Sequence, residues 1–413
     1  MGWLAGQRAS RRAVMTLGLL ALLPWAPREV EAASKAKPAP VAPIATAAQA
    51  SARLGFDLLG QFGKSKGSDP NPVVSPASLT AALAVLDLGA SPKFHAALVK
   101  TLRLDGVGDS GDLKSLRASL VPLIDGSKAD GPLTGISAIY FDPRGGPKPA
   151  ALDELKQAGV QADVRDLADA KTIDDINALV KDHTKGLIPT LIDEPLRKGG
   201  LVVLNALHFK DDWRTAFDPA QTAQKDFHRL GGGVAKVAMM QSGSGHWLAR
   251  QDDRFIAVAL PYQTKGYDLL LLTTKDKPGA LADFAPAASW LTGEGFTESE
   301  GTVSLPRLSI KTSADLRGSL DRLGLDPAVR APDVLSGFLT TPQKIDKVIQ
   351  KVVITVDEKG TEAAAATAVT SRSLAIPATF SFVADKPFLF ALRDETSGQV
   401  LMAGYIGDAA KAQ

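Results

Sequence analysis

The stretch from Lys351 to Val369 constrains this chain more than any other. Lys351-Val352-Val353-Ile354-Thr355-Val356-Asp357-Glu358 is a β-branched, apolar run, and Lys359-Gly360 closes it with a turn signal. Thr361-Glu362-Ala363-Ala364-Ala365-Ala366-Thr367-Ala368-Val369 follows directly. Alanine is the best helix former, so an alanine-rich helix is one reading and a low-complexity linker another. Three features oppose both. Strand-like runs flank the segment, a glycine hinge joins it to a long strand, and its side chains are sorted by parity. The odd positions Thr361, Ala363, Ala365, Thr367, Val369, Ser371 and Ser373 are all small or uncharged. The only charges before Pro377, Glu362 and Arg372, both fall on even positions. In an extended chain one face is therefore small and buriable, and both charges point the other way. No proline interrupts before Pro377, so every backbone N–H is free to join a ladder. An exposed loop gains nothing from being strand-competent, because unpaired edges invite aggregation. The segment is an exposed loop written as a central strand.

The rest of the chain argues for one large mixed domain. From Ala50 onward no second linker or short-period repeat appears. Helix signals dominate early: Leu54, Leu58 and Phe62 share one face, Ser75-Pro76 opens a run closed by Gly89, and Ser91-Pro92 repeats the start signal. Residues 151–158 and 173–184 are further amphipathic helices. Strand signals dominate later, at 201–204, 255–260, 269–272, 352–356, 380–383 and 400–402. Helices and strands do not alternate strictly, so the class is α+β rather than a doubly wound sheet.

The N-terminus is an address. Arg8, Arg11 and Arg12 precede the apolar run from Val14 to Leu23, the pattern of a secretory signal, with Ser10-Arg11-Arg12 also fitting a twin-arginine signal. Val30-Glu31-Ala32 is the expected cleavage site, giving a signal over 1–32; an uncut membrane anchor is the alternative. Residues 33–49, rich in Ala, Pro and Lys, form a tether, and 50–410 form the domain. The destination is periplasmic or extracellular. Without residues 1–32 the chain holds 43 basic and 43 acidic residues, from totals of 47 and 45 less four Arg and two Glu. That balance argues against nucleic-acid partners. No membrane contact beyond the signal segment is expected. The absence of cysteine excludes disulfide scaffolds, thiol catalysis and Cys-based zinc sites.

Enzyme constellations are missing. His95, His183, His208, His228 and His246 show no metal-ligand spacing, and there is no phosphate loop or dinucleotide fingerprint. Neither metal nor cofactor is expected. Gly243-Ser244-Gly245-His246 lacks a G-x-S-x-G frame; it fits a hairpin turn better than a hydrolase nucleophile. Gly231-Gly232-Gly233 is another turn. Lys93, Lys100, Arg103, Lys114 and Arg117 are a solvated helix surface or a loose site for a polyanion.

The hinge pattern resembles that of the serpins. So do Asn71-Pro72-Val73-Val74-Ser75-Pro76-Ala77-Ser78; Asn177 to Val180 with Thr184 to Ile188, where Leu179 stands for the usual Trp; and Asn205-Ala206-Leu207-His208-Phe209-Lys210 with Trp213, Phe217, Thr222 and Phe227. Met239-Met240, Leu260-Pro261-Tyr262, Leu305-Pro306-Arg307, Ala384 to Phe390 and Gly404 complete the order. The resemblance places the chain with the inhibitory type, as a bacterial-like exported member. It implies three β-sheets, eight or nine helices and an exposed reactive-centre loop. It also implies a monomeric, non-enzymatic suicide inhibitor that traps a serine protease as a covalent acyl complex. A non-inhibitory carrier or structural protein and a cross-class inhibitor of a cysteine protease are the alternatives. The hinge is then Glu358, Gly360, Thr361, Glu362, Ala363, Ala364, Ala365, Ala366 and Thr367. The family's seventeen-residue count from Glu358 ends at Leu374, so the scissile bond is Leu374–Ala375, with Arg372–Ser373 as rival. Leu374 suits a chymotrypsin-like or subtilisin-like protease. By the same resemblance, Ser75, Ser78 and Asn205 are latch residues beneath the opening sheet. Lys210 and Trp213 mark where the loop enters, and Gln350 stands where the family usually has His.

Overall fold

The computed structural model describes residues 46–62, 70–105, 107, 112–124, 131–193, 195, 200–325, 331, 333–341, 343–361 and 380–412. Its first helix, Ala47–Phe62, begins ahead of the boundary expected near Ala50, because Ala48 and Ala50 already face the core. Both Ser-Pro pairs start helices. The Ser75 hydroxyl accepts from the Ser78 amide at the head of Pro76–Leu86, and Ser91 accepts from Phe94 at the head of Pro92–Thr101. Every residue of Pro76–Leu86 is buried, so this helix is apolar all round and runs through the core. Ala170–His183 is instead amphipathic and covers a sheet with Ile173, Ile176 and Val180.

The main sheet sits between these two helices. Gln161–Val164, Leu133–Phe141, Gly200–Phe209, Lys344–Val356 and Leu308–Asp315 lie side by side in that order. All ten residues of Gly200–Phe209 are buried, as a strand covered on both faces requires. Val202, Leu204 and Ala206 point to the covering helix, while Leu201, Val203, Leu207 and Phe209 point to the large core. Gly200–Phe209 pairs antiparallel with Leu133–Phe141 but parallel with Lys344–Val356, from Lys344↔Gly200 to Val353↔His208.

The short strands Asp211–Asp212 and Gly360–Thr361 complete the main sheet, and the ten remaining strands form one network. Its partners change along Thr297–Pro306, whose first half pairs with Gly245–Gln251 and whose last residues pair with Val234–Gln241. The same strand takes Phe380–Val383 in parallel. The network is thus two sheets sharing one strand, which with the main sheet makes three. Gly231 to Gly233 form the turn between Ala223–His228 and Val234–Gln241, all three with positive φ. Among the described residues no helix is long and apolar enough to cross a membrane.

Candidate functional site: the hinge and its seat

Lys344–Val356 ends in a tight reversal. Asp357 N–H donates to the Gly360 carbonyl at 2.9 Å, and the Asp357 carboxylate accepts from Lys359 N–H at 2.9 Å. Gly360 and Thr361 then run back antiparallel, Thr361 opposite Val356 on one side and Asp211 on the other, Gly360 opposite Asp212. Glycine is required at 360 by close approach, since a Cβ there would overlap the Asp211 carbonyl. The first two residues of the hinge thus already lie as a strand at the head of the main sheet.

Four residues hold the reversal from outside. Trp213 donates its indole N–H to the Asp357 carbonyl at 2.8 Å and its backbone N–H to the Lys359 carbonyl at 2.5 Å. Phe217 N–H donates to the Glu358 carbonyl at 2.7 Å. The buried Glu358 carboxylate accepts from Arg307 at 2.7–3.0 Å and from the Thr222 hydroxyl at 2.5 Å. Burial alone would raise the Glu358 carboxyl, but the Arg307 guanidinium and the Thr222 hydroxyl overcome this and hold it below its ordinary value. Burial raises the neighbouring Asp211 carboxyl. Beneath Thr361 the Tyr262 hydroxyl lies 2.6 Å from its Oγ1, and both residues are fully buried. Tyr262 stacks on Trp213 at 4.5 Å and 17°.

The latch lies lower, where Lys344–Val356 passes over the start of Pro76–Leu86. The Gln350 amide accepts from Ser75 N–H at 2.8 Å and donates to the Ser75 carbonyl at 2.9 Å and the Ser78 hydroxyl at 3.1 Å. Ser75 Oγ donates to the Leu401 carbonyl at 2.6 Å. This network joins Ser75, Ser78 and Gln350 but not Asn205. Asn205 is buried directly opposite Gln350, and its amide atoms find no partner among the described residues. Gln350 has a longer reach and takes both serines. Lys210 directly precedes Asp211, the partner of Thr361; its side chain is exposed, and its backbone N–H donates to the Pro132 carbonyl.

Glu362, Ala363, Ala364, Ala365, Ala366 and Thr367, and the bond candidates Leu374, Ala375, Arg372 and Ser373, lie outside the described residues. Arg307, Thr222, Phe217 and Tyr262 figure in the sequence only as members of recurring motifs. Their roles depend on contacts across 51 positions for Arg307 and 136 for Thr222, which no local pattern encodes. Nor do Ser244 and His246 form a nucleophile pair. Ser244 Oγ donates a hydrogen bond to the Glu300 carboxylate at 3.1 Å, and the exposed His246 lies 4.0 Å from Glu298. Of the loose basic group, Arg103 pairs with Asp57 and Arg117 donates to the Ala84 carbonyl.

Comparison with known proteins agrees with this architecture. The family model described as Serpin (serine protease inhibitor) matches residues 49–408. Serpin-Z7 of Hordeum vulgare is 30% identical over 375 residues, covering 83% of this chain and 92% of its own length. Glia-derived nexin of Homo sapiens is 27% identical over 369 residues, covering 85% and 91%. Among solved structures, the thermophilic serpin Tengpin in its native state superposes with a TM-score of 0.74 at 22% identity, over 87% of this chain and 93% of its own. Mouse protein-Z dependent protease inhibitor does so with a TM-score of 0.74 at 22% identity, over 88% and 97%. Plant and animal relatives such as these lend no support to the bacterial kinship expected from the sequence. The hinge, its seat and a family match spanning nearly all of the described residues lead to one conclusion: this chain belongs to the serpin family.

Proposed function

We propose that this chain is an irreversible suicide-substrate inhibitor of serine proteases of the chymotrypsin-like or subtilisin-like kind. The protease attacks the bait carbonyl of Leu374 and forms an acyl-enzyme, releasing the amine of Ala375. The segment still attached through Gly360 then enters the main sheet between Gly200–Phe209 and Lys344–Val356, and carries the protease with it before water can hydrolyse the ester. The inhibitor supplies no catalytic group; it supplies a faster competing event.

The observation that carries this reading is the strand direction at the entry line. A strand returning from Gly360 runs antiparallel to Lys344–Val356, and Gly200–Phe209 is parallel to that strand. The entering segment is therefore antiparallel to both neighbours. Insertion replaces one parallel ladder, the weaker kind, with two antiparallel ladders. The reversal that begins this path is already built at Thr361. The small odd-numbered face supports the same reading, because Thr361, its first member, points into the core with no exposed surface.

Incubating the full chain with chymotrypsin or subtilisin tests it. A covalent complex that survives SDS, with Leu374 at the acyl bond, is the expected result. Cleavage that leaves the protease active would instead favour the non-inhibitory reading, and trapping of a papain-like enzyme alone would favour the cross-class one. We further propose an exported, monomeric protein whose mature chain begins at Ala33, from the basic and apolar character of the first 32 residues. N-terminal sequencing of the secreted product checks this, and a retained Met1 would indicate an anchor.

A further inference from the structure

The geometry points to Tyr262 as the positioning residue that sets which face of the hinge enters the sheet, through one hydrogen bond to the Thr361 hydroxyl. This inference rests on the inhibitor reading and adds to it a residue with a defined role. Three observations converge. The Tyr262 ring cannot turn: Trp213 stacks on one face at 4.5 Å, and Phe209 meets it edge-on at 4.7 Å. The phenol oxygen is thus held at one point in the core, 2.6 Å from Thr361 Oγ1, with neither residue exposed to solvent. The indole that fixes the ring also donates to the Asp357 carbonyl, and the backbone N–H of the same residue donates to the Lys359 carbonyl, so Trp213 ties the ring to the turn before Thr361.

The physical consequence concerns register. A strand that slips by one residue turns every side chain to the opposite face. Here a slip would bring Glu362 to the position of Thr361 and set its charge in a fully buried aromatic pocket. It would also turn the small odd-numbered residues outward. The Tyr262 hydroxyl hydrogen-bonds the Thr361 hydroxyl, and it does so only at this register. Burial pushes the phenol well above its usual pKa, so the hydrogen bond stays neutral through the working pH range. Because Tyr262 acts on the hinge and not on the bait bond, it governs the branch after acylation, where trapping competes with turnover.

The test uses the full chain and either protease. Tyr262→Phe keeps the stack and removes the hydroxyl; Thr361→Val keeps the shape and removes the other. Each is expected to raise the number of inhibitor molecules consumed per protease trapped about tenfold, the worth of one buried hydrogen bond. The rate of bait cleavage should not change. The double variant should be no worse than either single one, since both act through one bond, and Thr361→Ser should behave as the wild type. A purely structural tyrosine would instead give effects that add, with no rescue by Ser; that result, or an unchanged trapping ratio, overturns the inference. If Tyr262→Phe does not fold, Thr361→Val and Thr361→Ser decide alone. If the wild type traps neither protease, the inhibitor reading falls, and amide exchange over residues 357–361 of the uncut chain still decides this one. Exchange about tenfold faster in Tyr262→Phe, and no faster in the double variant, supports it; unchanged exchange overturns it.

Discussion

At the residue scale, the site is built from polar groups that burial makes expensive to leave alone. Glu358 is buried, and Arg307 and Thr222 satisfy it. Glu358→Ala leaves a half-exposed guanidinium behind, and the expected loss is about 1–2 kcal/mol, less than for a fully buried pair. Chemical denaturation midpoints measure it. Gln350→Ala strips the Ser75 and Ser78 groups of their partner and should cost about 2 kcal/mol in the same assay. Another buried group makes the protein acid-sensitive. Burial, with Lys210 and Lys185 nearby, lowers the His208 imidazole from 6.5 to about 4. The folded state therefore holds a neutral ring while the unfolded chain takes up a proton. Stability should be full above about pH 7 and fall by up to about 3 kcal/mol as pH drops to about 4, then level off. Denaturation as a function of pH checks the wild type, and His208→Gln should flatten the profile in that window. The latch itself carries no such titration, because Gln350 replaces an imidazole there with an amide.

At the element scale, the described end of the hinge is the two-residue strand Gly360–Thr361, whose neighbours decide what it tolerates. Gly360→Val should drive Gly360–Thr361 off Asp211–Asp212, and faster amide exchange at Asp211 to Trp213 would report it. Thr361→Arg places a guanidinium in a closed aromatic pocket and should convert the inhibitor to a substrate. Gel analysis then shows cleaved chain without complex; undiminished trapping would contradict insertion. Legibility at this scale varied with burial. Lys344–Val356 and Gly200–Phe209 were partly visible because their stretches 352–356 and 201–204 are mostly apolar, whereas the charged and polar positions elsewhere in both strands hid the rest. Ala223–His228 was not visible, since it is an edge strand of Ala-Gln-Lys-Asp-Phe-His in which only Phe227 is buried. Thr297–Pro306 was equally hidden: it changes partners midway, and no single periodicity describes a strand that serves two sheets.

At the scale of the whole molecule, Gly200–Phe209 pairs in parallel with Lys344–Val356, and on the inhibitor reading this is the ladder that insertion would replace with two antiparallel ones. Cleavage at the bait should let that sheet complete itself. The cut chain is expected to melt well above the intact one, by calorimetry, while remaining one particle; an equal midpoint would remove the driving force. The amino-acid sequence by itself determined the parity of residues 361–373, the glycine before them, the helix starts at Ser75 and Ser91, and the α+β class. These are local properties of spacing and backbone preference. Only the tertiary structure decided that Gln350 rather than Asn205 hydrogen-bonds Ser75 and Ser78, that the Lys210 side chain is exposed, and that Arg307, Thr222 and Tyr262 hold Glu358 and Thr361. Those contacts join residues far apart along the chain, and which of several polar groups wins a partner depends on reach and direction within a packed interior.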